Sequence, residues 1–333
     1  MKKVFLMFVA AVVFCTVAHA EDLKVSPFLR LKMVSEFVAD QTALDFEISG
    51  VKIEKDVTDN LAVAVTPGFT GTLFDGTARA AGALNFFLVE GYFQINDLTK
   101  DYGDYGLALT AGQYITPFYK MEQYYQPYMF VMRPLDFRMM PNNFGELGVM
   151  LSQSYFDDMI FANLAYSTGA GIWNPIITPN TGAFLLTATF FPFKTMDEVI
   201  NELSLTVNVK SVLRADQRSN YNFLLGYKYA WFATSLEFLK TYGSDRATDI
   251  SALSFGASAD VYGPFQAMVR WDYSDATDTT ITGSRYDHDF LVGVNTMWFD
   301  DTLQAAITYD QSYDPQAKTT KAKRIMLAAQ FSY

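Results

Sequence analysis

The chain has 333 residues, of which 50% are apolar, 16% aromatic and 18% charged, and its formal charge at pH 7 is −11. This aromatic content excludes an intrinsically disordered protein, while 20 glycines, 11 prolines and a single cysteine exclude a collagen-like or disulfide-stapled one. A surface this acidic repels the phosphate backbone, so the composition also disfavours a nucleic-acid partner.

The N-terminal segment has the layout of a secretory signal peptide. Two lysines precede an apolar run, and the run ends at Ala18-His19-Ala20, which fits an A-x-A cleavage site. We therefore expect residues 1–20 to be removed near Ala20, leaving 21–333 as the mature chain. The mature chain contains no cysteine, and its one histidine is His288.

After the signal peptide, apolar residues recur at every second position, and no run is long enough for a transmembrane helix. A period of two places the alternating residues on opposite faces of a β-strand. The pattern predicts sixteen strands, near 24–38, 42–57, 60–74, 80–95, 104–115, 145–156, 158–168, 180–193, 202–213, 220–230, 231–241, 250–262, 263–275, 285–298, 301–311 and 322–333.

The connections between these strands alternate in character along the chain. Those on one side are mostly short turns, whereas those on the other are mostly longer, more polar and richer in Gly, Asp, Thr and Asn. This asymmetry, together with aromatic residues near strand ends, is typical of outer-membrane barrels. The sequence therefore predicts an all-β fold, a transmembrane antiparallel β-barrel of sixteen strands. A soluble β-sandwich also alternates, but about 20 residues for each strand with its connection suit membrane strands of roughly 9–11 residues and favour the barrel.

The last predicted strand ends on an aromatic residue, Tyr333, and carries apolar residues at every second position before it. It resembles the C-terminal strand by which outer-membrane barrels are recognised for assembly, which implies the barrel-assembly machinery as a partner. Because a barrel in lipid has no free edge, strands 1 and 16 are expected to pair with each other.

The third long connection, residues 116–144, differs from the others. It loses the alternation, contains four prolines and is rich in Met, Tyr and Phe, so it would not remain solvated. Loops of this length in compact proteins are uncommon and usually functional. We expect it to fold inward as the third extracellular loop and to narrow the lumen as a constriction. An exterior flap is the alternative.

Three stretches around this loop resemble the phosphate-selective porin O/P family. They are Gly112-Gln113-Tyr114-Ile115-Thr116-Pro117-Phe118, Phe130-Val131-Met132-Arg133-Pro134 and Gly145-Glu146-Leu147-Gly148-Val149-Met150-Leu151. The resemblance implies a porin, a homotrimer and a lumen whose lysines and arginines attract anions. Carried over to this chain, it indicates a pore constriction formed by Lys120, Arg133 and Arg138, opposed by Glu122 and Asp136.

Strand parity also predicts which charged side chains face the lumen. The basic residues assigned there are Arg30, Lys32, Lys210, Lys228, Arg270 and Arg324, and the acidic ones are Asp45, Glu47, Glu90, Glu237, Asp260, Asp272 and Asp310. Because both signs are nearly balanced, we expect a modestly selective channel, since only a ring of one sign selects ions strongly.

These observations predict a passive diffusion channel for small hydrophilic solutes or ions across the outer membrane of a Gram-negative-type bacterium. Outer-membrane lipid and lipopolysaccharide would surround it, and no cofactor is expected. An anion- or phosphate-selective channel and a non-conducting structural or adhesive barrel are the alternatives. Catalysis is disfavoured, because Asp287-His288-Asp289 lacks the His-x-Ser arrangement of barrel phospholipases and no metal-ligand cluster accompanies it.

Overall fold

A computed structural model describes residues 23–37, 41–75, 84–98, 106–126, 145–168, 182–196, 199–213, 219–242, 249–276, 286–298, 302–315 and 317–332. Its strands are β1 (Leu23–Glu36), β2 (Gln41–Thr58), β3 (Leu61–Asp75), β4 (Leu84–Ile95), β5 (Ala108–Ile115), β6 (Gly145–Tyr155), β7 (Ile160–Ser167), β8 (Ala183–Phe190), β9 (Ser204–Val212), β10 (Ser219–Tyr229), β11 (Phe232–Tyr242), β12 (Ile250–Tyr262), β13 (Phe265–Ala276), β14 (Tyr286–Trp298), β15 (Leu303–Asp314) and β16 (Thr319–Ser332). A helix, α1 (Pro117–Tyr125), lies between β5 and β6. The described ranges contain no helix long and apolar enough to span a bilayer.

The strands form one closed antiparallel barrel. Each strand pairs with its neighbours in sequence, and β1 pairs with β16 from Phe28 opposite Ser332 to Glu36 opposite Arg324. Closure of this kind leaves no free sheet edge, which is the requirement for a β-protein in hydrocarbon. The predicted sixteen-strand barrel is confirmed. The expected signal peptide, residues 1–20, lies outside the described residues.

The two faces of the barrel differ as the alternation predicts. In β8, Phe184 and Leu186 are 49% and 48% exposed on the outer face, while Thr187 and Thr189 are buried on the inner face. The same alternation holds along β9 to β13, where Ser, Thr and Asn side chains are prominent on the inner face. The barrel thus has an apolar exterior and a largely polar lumen.

The two ends of the barrel can be told apart by their connections. At one end, which we call the turn-side rim, tight turns join the strands, and left-handed backbone occurs at Asp157, Asp158 and Gly263. The longer connection between β8 and β9, residues 191–203, lies at the same rim. The opposite end, the loop-side rim, carries the connections that follow odd-numbered strands.

A bulge in β2 changes which of its residues face the lumen. The register of β2 against β3 shifts between Phe46 and Ser49, and Asp45 before the shift lies opposite Lys32 of β1. Beyond the shift, Lys52 lies opposite Ser26 of β1, and Glu54 lies opposite buried Ala64 of β3. The inner face is therefore odd-numbered before the bulge and even-numbered after it, because an extra residue reverses the alternation.

A second irregularity, in β4, directs an acidic side chain inward. The register of β3 against β4 shifts between Thr66 and Pro67, so Val89 and Glu90 are both buried. The side-chain amide of Gln113 on β5 donates hydrogen bonds to the backbone carbonyls of Leu88 and Val89. These bonds satisfy carbonyl groups where the ladder is locally disrupted.

Candidate functional site: a helix across the lumen

The helix α1 begins where the chain leaves the barrel wall. Pairing of β5 with β4 ends at Gln113 opposite Gly91, although β4 itself begins at Leu84, nearer the loop-side rim. Pro117 occupies the first helical turn, where its missing N–H costs no hydrogen bond. The chain therefore turns inward well below the loop-side rim.

Two tyrosines attach the far end of α1 to the opposite wall. The Tyr125 hydroxyl lies 2.6 Å from Ser204 Oγ and donates to the Glu202 carbonyl oxygen at 3.1 Å, and the Tyr124 hydroxyl donates to Glu202 Oε2 at 2.6 Å. Burial, the largest cause of the shift, raises the pKa of the Tyr125 hydroxyl to about 12. Burial, together with the hydrogen bond to Glu202, also raises the pKa of the Tyr124 hydroxyl. Both hydroxyls therefore remain protonated donors at neutral pH.

The residue after the helix extends this attachment to two further strands. Gln126 Nε2 donates to Ser235 Oγ on β11 at 3.0 Å, and Gln126 Oε1 accepts from Arg270 Nη1 on β13 at 3.1 Å. Arg270 is fully buried and also donates through Nε to Asp272 at 2.8 Å. The helix end is thus held by charge-assisted bonds in a closed environment.

Apolar packing completes the seat of the helix. Phe118 and Tyr125 pack against Leu224, a buried residue on the inner face of β10. Next to it on the same face, Gly226 leaves room for the Tyr125 ring, because a Cβ at that position would overlap the ring. The absence of a side chain at Gly226 is therefore what allows α1 to approach the wall closely.

The helix separates two spaces in the lumen, each of about 490 Å³. The first, which we call the basic passage, lies between α1 and strands β1–β4, and its charged lining residues are Arg30, Lys52, Lys120 and Glu90. The Lys52 ammonium forms an ion pair with the Glu54 carboxylate, with Nζ 2.7 Å from Oε1. Enclosure lowers the pKa of Lys120, while the nearby carboxylate of Glu90 opposes that shift.

The second space, the aromatic cavity, lies between α1 and the wall formed by β7 and β8. Its lining residues are Pro117, Lys120, Met121, Tyr124, Phe161, Asn163, Thr189, Phe191, Lys194, Asn201 and Glu202. It lies toward the turn-side rim, since Phe191, Lys194, Asn201 and Glu202 belong to the connection between β8 and β9. Lys120 lines both spaces.

Of the residues expected at the constriction, Lys120 lies in the basic passage, where Arg30 and Glu90 of the predicted lumen set join it. Glu122 is fully buried and lines neither space. Arg133, Asp136 and Arg138 lie outside the described residues, as does the side chain of Glu47. Strand parity did not assign Lys52 to the lumen, because the bulge in β2 leaves no trace in the alternation of apolar residues.

Most other charges of the predicted lumen set lie in pairs or contacts. Lys210 bonds Glu146 at 2.5 Å with both side chains buried, Arg324 bonds Asp310, and the Lys228 ammonium lies 4.6 Å from the centre of the Tyr124 ring. Lys32 lies opposite Asp45, Glu237 is fully buried on the inner face of β11, and Asp260 lies opposite Gln266.

His288 lies on the other face of the barrel. Its ring packs 5.1 Å from Tyr273 and 5.9 Å from Trp271, centre to centre. Its strand neighbours Asp287 and Asp289 are buried on the inner face, so the alternation separates the histidine from both carboxylates. This geometry fits an aromatic belt residue at a membrane interface.

No protein family model and no curated protein matches the sequence. Solved structures do match. The anion-selective porin from Comamonas acidovorans has a TM-score of 0.63 at 13% identity, covering 93% of this chain and 99% of its own. OprB of Pseudomonas putida has a TM-score of 0.70 at 7% identity and 96% coverage of both chains. Salmonella typhi OmpF, solved with daunomycin, has a TM-score of 0.62 at 9% identity, covering 93% and 97%. The chain therefore has the fold of the outer-membrane porins.

Proposed function

We propose that this protein is a passive diffusion channel for small hydrophilic solutes in a bacterial outer membrane. The observation that carries the proposal is the basic passage: a space of about 490 Å³ remains between α1 and the β1–β4 wall, lined by charged groups. Arg30 and Lys52 are only partly buried there, and a purely structural barrel has no need for ionisable side chains around an internal space.

The mechanism follows from the lining of that passage. The closed sheet holds the lumen open without any moving part, and α1 confines solutes to the narrow space beside it. Arg30, Lys52 and Lys120 there replace part of the hydration shell of a passing solute, while Glu90 contributes one negative charge. Three cationic groups against one carboxylate favour anions, although only modestly because Glu54 is bound to Lys52.

The resemblance to the phosphate-selective porin O/P family points in the same direction. Phosphate or another small anion is therefore the finer alternative to a general diffusion channel. The anion-selective porin from Comamonas acidovorans supports this reading only through its shared fold, since its identity to this chain is 13%.

Membrane assembly is the remaining part of the proposal. A signal peptide cleaved near Ala20 would deliver the chain across the inner membrane, and the C-terminal strand ending at Tyr333 would engage the barrel-assembly machinery. The apolar outer face would then meet outer-membrane lipid and lipopolysaccharide. A homotrimer is the assembly state implied by the family resemblance.

Planar-bilayer recording of the purified protein tests the proposal. Discrete conductance steps are expected, and in a KCl gradient the reversal potential should have the sign of chloride preference. Absence of any steps would leave the non-conducting structural or adhesive barrel as the better description. A reversal potential of the opposite sign would overturn the anion preference alone.

A further inference from the structure

The aromatic cavity has the features of a small-molecule site rather than of a water-filled gap. Its volume of about 490 Å³ lies within the range of roughly 300–1,000 Å³ that ligand pockets occupy. Such pockets present mainly apolar surface with a few polar groups, and most of the lining surface of this cavity is apolar. The basic passage has four charged groups in its lining, against three in this cavity.

The apolar part of the cavity is formed by rings on two facing surfaces. On the wall, Phe161 and Phe191 pack edge to face, with ring centres 6.1 Å apart and planes at 81°. On the helix, Met121 and Tyr124 line the opposite side, and Tyr124 is fixed by its bond to Glu202. Two opposed apolar surfaces of this kind accept a flat hydrocarbon body.

A cation lies beside this apolar surface. The Lys194 ammonium lies 5.3 Å from the centre of the Phe161 ring and 5.9 Å from that of Phe191. Its ionic partner Asp158 is 3.6 Å away, and the two side chains are 37% and 52% exposed. Ion pairs this exposed contribute little, so a ligand carboxylate can compete for Lys194. Lys120 adds a second positive charge from the helix.

The acidic residue in the lining does not cancel this attraction. The Glu202 carboxylate accepts the Tyr124 hydroxyl at 2.6 Å, which holds it beside the helix, and the two lysines of the lining outnumber it. Asn163 and Thr189, on the inner face of β7 and β8, supply neutral polar groups between the rings and the lumen. The cavity therefore combines an apolar slot with cations at its edge.

We propose that the aromatic cavity is a binding site for organic anions in which a carboxylate is joined to a flat apolar body, such as arylalkanoates. The body lies between Phe161 and the helix, and the carboxylate pairs with Lys194. This inference rests on the proposed function only in making the site part of a solute path, since binding itself does not require conduction.

Calorimetry on the detergent-solubilised full chain, with 3-phenylpropionate as the probe, tests the site directly. We expect saturable binding of the probe, binding at least about tenfold weaker for its uncharged analogue 3-phenylpropan-1-ol, and none for acetate. Equal binding of acetate and the probe would overturn the proposal, because the apolar slot would then contribute nothing. Equal binding of the alcohol would overturn the role of Lys194.

Two variants and two matched controls sharpen the test. Lys194→Gln and Phe161→Leu should each weaken probe binding by about tenfold. Lys32→Gln, on the inner face of β1, and Phe290→Leu, on the outer face, remove the same groups elsewhere and should leave binding unchanged. Retained heat-modifiable mobility on gels shows that each variant is folded.

The two proposals fail separately. Conductance steps without probe binding would overturn the arylalkanoate site and leave the channel. Probe binding that depends on Lys194 and Phe161, in a protein that gives no steps, would retain the site and overturn the channel.

Discussion

Two walls of the same lumen differ in the burial of their charged residues. Along β1 and β2, Arg30 and Lys52 are only partly buried and line the basic passage. Across the lumen, the buried pair Arg270–Asp272 has exposures of 0% and 2%, and Lys210–Glu146 has 3% and 0%. Parity predicted lumen charges on both walls, yet the wall charges that line the basic passage lie on β1, β2 and β4.

The helix α1 accounts for part of this difference. Its far end is bonded to Ser204, Ser235 and Arg270, so it covers that wall and leaves the β1–β4 wall open. Charges excluded from water must be paired, and such pairs are weak evidence for function. Charges beside an open passage act on whatever enters it. Counting lumen charges is therefore a poor guide to selectivity.

The largest effect is expected from removing what separates the two spaces. Deletion of residues 120–140 takes away most of α1, so the basic passage and the aromatic cavity merge. Single-channel conductance should rise by about twofold or more, because two spaces of similar volume join into one. Conductance equal to that of the wild type would mean that the helix does not limit ion flow.

The wall with the buried ion pairs, which we call the closed wall, can be tested through the free energy of unfolding. Glu146→Gln leaves the Lys210 ammonium buried opposite a neutral group, which should cost about 3–5 kcal/mol of folding free energy. Urea unfolding in detergent, followed by tryptophan fluorescence, measures the loss. As control, Glu146→Gln combined with Lys210→Met removes both charges and should recover most of the stability. A single variant as stable as the wild type would contradict a closed wall.

The β1–β4 wall, which is open to the basic passage, should respond in the opposite way, with a change in selectivity rather than in stability. Arg30→Gln combined with Lys52→Gln should leave unfolding nearly unchanged but shift the reversal potential in a KCl gradient toward cations by several-fold in permeability ratio. Neutralising Arg133 and Arg138 together, in the part of the loop not described, should shift it in the same direction if they reach the narrow part. An unchanged ratio in the first variant would remove the basic passage from the ion path.

The smallest expected effect is a dependence on pH. Because desolvation by burial lowers the pKa of Lys120 from the ordinary lysine value, its ammonium loses the proton at a lower pH than an ordinary lysine as the solution becomes alkaline. As the pH is raised, anion preference should therefore begin to decline at a lower pH than it would if Lys120 had the ordinary lysine pKa. Lys120→Gln should have the reduced preference at neutral pH and lack this step, and a step retained in the variant would assign it elsewhere.

The sequence was sufficient for the barrel because alternation is uninterrupted in most strands. Along β9, β13 and β16 it places Lys210, Arg270 and Arg324 inward, which agrees with the register. In β2 it fails, since one extra residue between Phe46 and Ser49 reverses the faces and brings Lys52 inward. A bulge leaves no mark in a pattern of apolar residues, so no count of alternation could have found Lys52.

The candidate site was less predictable than the fold for a related reason. The apolar character of the loop indicated that it would pack, and Tyr124, Tyr125 and Gln126 do bond the wall. Which wall they choose depends on the space left by Gly226 and on the hydroxyls of Ser204 and Ser235, three positions distant in sequence from the loop. Such pairings are set by tertiary geometry.

A single ammonium group, that of Lys120, borders both chambers of the lumen. An anion resting against it from either side weakens the pull that it exerts on the other, since one charge cannot be neutralised twice. We therefore expect the occupancy of the two compartments by anions to be coupled, so that an anion held in one lowers the attraction for anions in the other.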